Sequence, residues 1–154
     1  MRALPGAVVP KTRDFGRTAF GPLTRKILRS LGEALFTDPE QTDAPRDRFD
    51  WMVDDCDDMV AHASDQLRHT LRLSLVLLEL LPLFVIGRFA RMTSLPLEER
   101  ERFLATLESS RLPYVALLVV GLKSILSLVY FEHPYALAMM GYDGRHDVHL
   151  RVTQ

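Results

Sequence analysis

The chain has 154 residues, a length typical of one compact domain. Apolar residues make up 47% and charged residues 25% of it, which is the composition of a globular protein and excludes bulk disorder. The formal net charge of −1 gives no support for nucleic-acid binding. A single cysteine, Cys56, excludes an internal disulfide framework and any multi-cysteine metal centre.

Charge is strongly segregated along the chain. Residues 1–30 carry seven basic side chains and one acid, whereas residues 31–66 carry eleven acids and two arginines. This asymmetry predicts either that the basic segment docks on an acidic face of the same molecule or that the two segments serve separate partners. The amino terminus lacks the uninterrupted apolar core of a secretory signal and a twin-arginine motif. We therefore expect a cytoplasmic location, with peripheral contact at the inner face of the membrane as an alternative.

The first half of the chain predicts an arm followed by two helices. Residues 1–20 contain prolines and glycines without a sustained period, which indicates an irregular basic arm. Pro22 suits a helix start, and the helix should end before Asp38 and Pro39. A second helix is expected from about Asp47, because apolar residues recur there at helical spacing.

The second half predicts three or four further helices. Ser64 is a candidate cap for a third helix, which Pro82 should kink or end. The next helix should start at Pro96, with Arg100 on its wet face, and another should run from about Pro113 to Phe131. A short last helix is expected at 135–140, before the turn sequence GYDG at 141–144. The fold class is therefore all-α: a compact bundle of five or six helices over 21–144, with the arm 1–20 and a C-terminal tail, 145–154.

Two apolar segments, 73–90 and 112–131, are long enough to raise the question of membrane insertion. Each carries an ionisable residue near its middle, Glu79 and Lys123, and such residues are costly in a bilayer. We therefore favour helices buried in the bundle, with Glu79 and Lys123 paired in the core. A small integral membrane protein with a two-helix hairpin stays open as the alternative.

The sequence offers little catalytic chemistry. It has no nucleophile elbow, phosphate loop or dinucleotide fingerprint. His62 and His69 share one helical face, but we expect solvated histidines there, and a freestanding metal-binding protein is the least favoured class. The run Asp54, Asp55, Asp57 and Asp58 is expected to form a solvated face, and Cys56 to be a buried small hydrophobe. We expect no catalytic, cofactor-binding or metal-ligating residue in this chain.

A series of short motifs covers the second half of the chain. In order, they are Leu95-Pro96 and Glu99-Arg100, Phe103-Leu104, Ser110, Leu122-Lys123, Tyr130-Phe131, His133-Pro134 and Gly141-Tyr142. Upstream stands the stretch ILRSLGEALFTDPE, residues 27–40. Together they resemble the family of gluconate 2-dehydrogenase subunit 3, and also the helical region that precedes the flavin domain of long-chain alcohol oxidases.

The resemblance implies a noncatalytic accessory subunit that stabilises, matures or tethers a flavin-dependent oxidoreductase of the glucose–methanol–choline type. FAD would then be bound by the partner, and this chain would hold no cofactor. The chain departs from exported family members in lacking a twin-arginine signal.

The resemblance also suggests where the partner would bind. In fused relatives the flavin domain follows the GY segment, so the end of the helical domain should face the enzyme. The alternating tail could add a strand to a sheet edge of the partner. The expected interface residues are Tyr130, His133, Pro134, Tyr142, Asp143, Val148, Leu150 and Val152. The alternative is that Tyr130 and Phe131 belong to the core and that GYDG merely turns the chain.

Overall fold

The structure is a computed structural model, and it describes residues 18–38, 44–45, 47–85, 87 and 89–141. These residues form six α-helices and one short 3₁₀ turn, and no strand occurs among them. The helices are α1 (Pro22–Phe36), α2 (Arg48–Ala61), α3 (Asp65–Val85), α4 (Leu97–Glu108), α5 (Pro113–Phe131) and α6 (Pro134–Met139), and the 3₁₀ turn is Met92–Ser94. The predicted all-α class is confirmed.

Proline and side-chain caps set most of the helix starts, as the sequence predicts for α1, α3 and α5. Pro22, Pro113 and Pro134 occupy first-turn positions, where the missing amide hydrogen costs nothing. Ser64 accepts a hydrogen bond from the backbone N–H of Leu67 and so caps α3. Pro82 does not end α3, which continues to Val85 with Pro82 buried inside it.

Four helices close into a ring in the order α1, α2, α5, α4, with each packed on the next. The helix α3 lies outside this ring, against α1, α2 and the 3₁₀ turn, while the short α6 packs on the end of α5. The largest fully buried side chains come from all the long helices, and they include Ile27, Leu31, Met52, Leu75, Phe103, Leu107 and Leu126. A single core therefore joins the ring helices to the inner face of α3.

Two charged side chains, Arg100 and Glu79, are buried in this core with hydrogen-bond partners that the sequence does not predict. Arg100 is 7% exposed and donates to the backbone carbonyls of Ser30 (2.8 Å) and Leu95 (3.1 Å) and to the Glu33 carboxylate (3.1 Å). The expectation of a wet Arg100 was wrong, because the guanidinium ties α4 to α1 and to the turn before α4. Buried charges survive in proteins when they are hydrogen-bonded in this way.

Glu79 is the second such group, and its expected pairing with Lys123 was wrong. The Glu79 side chain is 4% exposed and accepts hydrogen bonds from the backbone N–H and the hydroxyl of Thr93. Lys123 instead forms an ion pair with Glu108 at 2.9 Å. Within the described residues no extensive packing joins α3 to α5, and each of the two charged residues is satisfied by a partner nearer to it in sequence.

Candidate functional site

The acidic helix α2 receives the residues that precede α1. Asp57 is 3% exposed, and one of its carboxylate oxygens accepts hydrogen bonds from the backbone N–H groups of Ala19 (2.7 Å) and Phe20 (2.8 Å). The other oxygen pairs with Arg25 at 2.7 Å. Arg72 of α3 donates to the carbonyl oxygen of Ala19. The expected solvated face is therefore wrong for Asp57, which fixes the entry of the chain into the bundle.

Two arginines of α1 extend this contact between basic and acidic segments. Arg25 also pairs with Asp54, and Arg29 pairs with Asp50 and with Glu33. Within the described residues, the basic segment thus docks in part on the acidic helix, which is one of the two predicted outcomes of the charge asymmetry. The pairs of Arg25 with Asp54 and of Arg29 with Asp50 join α1 to α2, whereas the pair of Arg29 with Glu33 lies within α1. All three are structural and leave the two segments less charge to offer a partner.

Among the residues expected to contact a partner, Tyr130 lies in the core. Its ring is stacked on that of Phe36, with centroids 4.3 Å apart, and the residue is 6% exposed. Burial raises the pKa of the Tyr130 hydroxyl, while the nearby Arg48 acts in the opposite direction. The side chain holds α5 against α1, which matches the alternative of a core role.

His133 is also used inside the molecule. It is 5% exposed, lies edge-on to Trp51 with ring centroids 5.0 Å apart, and its Nδ1 accepts from the backbone N–H of Tyr135 at 3.2 Å. This bond caps α6. Burial lowers the pKa of His133, an effect that Arg48 reinforces and Asp47 opposes. The imidazole is therefore a neutral cap rather than a free acid or base.

The remaining residues of the expected interface divide into two groups. Pro134 is half-buried at the start of α6. Five residues lie outside the described part of the chain, and their interface role stays a prediction: Tyr142, Asp143, Val148, Leu150 and Val152. Gly141, which ends α6, has a φ of +80°, a conformation that favours glycine and supports the predicted turn at this point.

The surface at this end of the bundle is formed by residues that the motif analysis does not single out. Met139 and Met140 are each 57% exposed, and Phe131 is 41% exposed. They border a hollow of about 330 Å³, whose wall also includes Phe36 and Tyr135. The hollow is apolar on most sides, so it suits a hydrophobic side chain better than a polar substrate.

The described residues provide no assembled catalytic or metal centre. No group of three or more His, Cys, Asp or Glu side chains in the described ranges could hold a metal ion. Cys56 is fully buried, as expected, and burial together with Asp57 and Asp55 raises the pKa of its thiol to about 12. A thiol in this environment is a poor nucleophile at neutral pH.

Helix α3 leaves an apolar face uncovered. Its inner face is buried through Leu71, Leu75 and Leu78. On its outer face, a stripe of apolar residues at helical spacing is 40% to 78% exposed, and consists of Leu73, Val76, Leu77, Leu80 and Phe84. We call this stripe the α3 face. The sequence-based expectation of a buried helix holds for only one side of α3.

Helix α5 has a second uncovered apolar face. The residues of this face are Tyr114, Leu117, Val120, Gly121, Ser124, Leu128 and Phe131. We call it the α5 face. Tyr114 is 85% exposed, and Leu117 and Leu128 are 68% and 70% exposed. Within the described ranges α5 is the one helix long and apolar enough to cross a membrane, and 28% of its most apolar window is buried.

Comparison with known proteins gave no relative: no family model, curated protein or solved structure matches this chain.

Proposed function

We propose that this chain is a noncatalytic helical accessory subunit that binds a larger protein through the α3 face. The observation that carries the proposal is that α3 is apolar on two sides: Leu75 and Leu78 are fully buried, while Leu73 and Phe84 on the other side are 71% and 78% exposed. Contiguous apolar patches of roughly 300–600 Å² are the largest that soluble monomers usually expose, and they are often binding sites.

The chemistry of the α3 face suits a protein partner. Its exposed side chains are aliphatic or aromatic over about three turns, and polar residues, Gln66, His69 and Thr70, border it at the amino-terminal end. An apolar centre with a polar rim is the usual anatomy of a protein interface. An amphipathic helix face of this length fits a groove or a second helix on the partner.

The resemblance to accessory subunits suggests the kind of partner, a flavin-dependent oxidoreductase of the glucose–methanol–choline type that carries FAD. The described motif residues have structural roles here, since Leu95, Phe103 and Leu104 are core residues and His133 caps a helix. The motifs thus bear on the fold of the subunit. The flavin partner is supported by the order of the motifs alone.

The test is affinity capture of the tagged chain from its native host, read by mass spectrometry and by the visible absorbance of bound flavin. Wild type is compared with Leu73→Glu/Leu80→Glu on the α3 face and with Ala105→Glu/Thr106→Glu on the exposed side of α4. Both variants add two acids at exposed positions, and circular dichroism checks that each folds.

We expect wild type and the α4 variant to retain a yellow oxidoreductase at a fixed ratio, and the α3 variant to lose it. If wild type and the α4 variant retain a colourless protein that the α3 variant loses, the α3 face would be supported as an interface, but the proposal of a flavin-containing partner would be overturned. Equal capture by all three chains would overturn the role of the α3 face.

The second candidate is a membrane protein with a hairpin of the segments 73–90 and 112–131. It is favoured by the length, hydropathy and exposure of α5. The first segment fits less well, since α3 ends at Val85 and its buried Glu79 is bonded to Thr93. Carbonate extraction of host membranes separates the candidates, because a spanning hairpin stays with the lipid whereas a peripheral subunit is released.

A further inference from the structure

We propose that the α5 face binds the α5 face of a second copy of this chain, with the two helices antiparallel about a two-fold axis. This inference is independent of the identity of the larger partner. It concerns a different surface, because α3 packs on α1, α2 and the 3₁₀ turn, whereas α5 packs on α2, α4 and α6.

The first argument is that all residues of the α5 face except Val120 are arranged symmetrically about the middle of the helix. Suppose that the two-fold axis passes between Leu122 and Lys123. Each residue of one α5 then lies opposite the residue of the other α5 that is equally far from this midpoint on its other side. Matching residue types then meet. Tyr114 lies opposite Phe131 of the second copy, Leu117 opposite Leu128, and Gly121 opposite Ser124. A two-fold interface requires self-complementarity of this kind.

The small residues at the centre allow the two helices to approach closely. A Cβ atom added at Gly121 would meet nothing within 4 Å, so this position faces open space in the single chain. The hydroxyl of Ser124 already donates to the carbonyl of Val120 at 2.8 Å, so burying it would leave no unpaired donor.

Shape complementarity is the second argument. A shallow hollow beside the carboxyl-terminal half of α5 is lined by Ser124, Ser127, Leu128, Phe131 and Glu132. In the antiparallel arrangement this hollow lies opposite the amino-terminal half of the second α5. That half carries the projecting side chains Tyr114 and Leu117. Each copy thus offers two projecting side chains and one hollow, and the two-fold symmetry produces the same fit at both ends of the interface.

Charge complementarity is the third argument. Arg111 precedes α5 and Glu132 follows it, and both are exposed. Neither side chain is in an ion pair within the part of the chain that the structure describes. In the antiparallel pair, Arg111 of one copy would lie two residues out of register with Glu132 of the other, within reach of these long side chains, at both ends of the interface. These charges favour the antiparallel arrangement, because parallel helices would place Arg111 beside Arg111 and Glu132 beside Glu132.

The size of the face is sufficient for a weak or moderate dimer. Aromatic side chains bury about 150–250 Å² each, and those of the α5 face are supplemented by two leucines and a valine. Covering the face on both copies would remove about 1,000 Å² in total, close to the lower limit for a specific interface. We therefore expect association at micromolar concentrations.

The test uses the full purified chain in analytical ultracentrifugation over a range of concentrations without detergent. We expect wild type to form a dimer. Gly121→Leu should weaken it at least about tenfold, because a leucine at the crossing point separates the helices. The fold should be retained in Gly121→Leu, since the added side chain points into open space. Ala105→Leu, on the exposed side of α4, is the matched control and should associate like wild type.

A charge exchange tests the direction of the pair. Arg111→Glu and Glu132→Arg should each weaken the dimer a few-fold, and the double variant should restore it, because the two exchanged charges again face each other.

A monomeric wild type at high micromolar concentration would overturn the proposal. So would a dimer that Gly121→Leu leaves unchanged, or a monomer that sediments with phosphatidylcholine vesicles, which would assign the α5 face to lipid.

Discussion

Thr93 donates two hydrogen bonds to the carboxylate of Glu79, one from its backbone N–H at 3.1 Å and one from its hydroxyl at 2.7 Å. The pair attaches the 3₁₀ turn, and with it the start of α4, to the middle of α3. Because Glu79 is 4% exposed, its carboxylate depends on these donors for the hydrogen bonds that water would otherwise provide.

Replacing Glu79 by alanine should therefore lower the free energy of unfolding by about 2–3 kcal/mol, because two donors lose a charged acceptor. Thr93→Val keeps the backbone bond and should cost about 1 kcal/mol. Urea unfolding of both single variants and the double variant measures the coupling. Strictly additive losses would show that the Thr93 hydroxyl and the Glu79 carboxylate are not coupled.

Asp57 should be the acid to which stability is most sensitive. Asp57→Ala leaves the N–H groups of Ala19 and Phe20 and the Arg25 guanidinium without their acceptor, so we expect a loss of about 3–5 kcal/mol. Asp57→Asn keeps one oxygen acceptor and should lose less. Asp65→Asn, at an 83% exposed side chain, is the control and should change stability by less than about 0.5 kcal/mol. Equal effects at Asp57 and Asp65 would contradict the structure.

The bundle should lose stability in mild acid through His133. The pKa of this histidine is lowered in the folded state, so the unfolded chain binds the proton more readily. The stabilisation is fully present above the unfolded pKa of about 6.5 and is lost as the pH falls from there through the folded pKa. Protonation of Nδ1 would also remove the acceptor for Tyr135.

His133→Asn keeps a capping acceptor and removes the titration, so its unfolding free energy should fall less between pH 7.5 and pH 5 than that of wild type. Parallel curves for wild type and His133→Asn in urea titrations would show that another group is responsible.

The thiol of Cys56 should be unreactive in the folded protein. It is fully buried and its pKa is raised to about 12, so the thiolate is scarce at neutral pH and out of reach of reagents. Ellman's reagent at pH 8 should label it only in urea, whereas a cysteine introduced at the exposed Ser109 should react at once. Rapid labelling of folded wild type would indicate that α2 opens locally.

Helix positions were predictable because the relevant signals are local. Proline at the starts of α1 and α5 and the glycine that ends α6 act within one turn, and so these elements were predicted to within a residue or two. The roles of charged residues were less predictable. Asp57 finds a donor 37 residues away in sequence and Arg100 finds an acceptor 70 residues away, and a helical period contains no information about such partners.

The outer surfaces of α3 and α5 show a related limit of prediction from sequence. Hydropathy indicates that Leu73 and Leu117 avoid water, but it does not distinguish a contact within the chain from a contact with another molecule. The expected interface illustrates the same point. Tyr130 and His133 have the residue types common in binding sites, yet the bundle uses both internally.

The presence of two apolar faces on different helices has a consequence for assembly. Substitutions on the two apolar faces should act additively, because the exposed residues of the two faces lie on different helices. A pair of chains joined through α5 would carry two α3 faces, so it would be bivalent towards anything that α3 binds. Two weak attachments to a dimeric or surface-bound target would then act as one strong attachment, and the occupancy of that target would rise steeply with the concentration of this small chain.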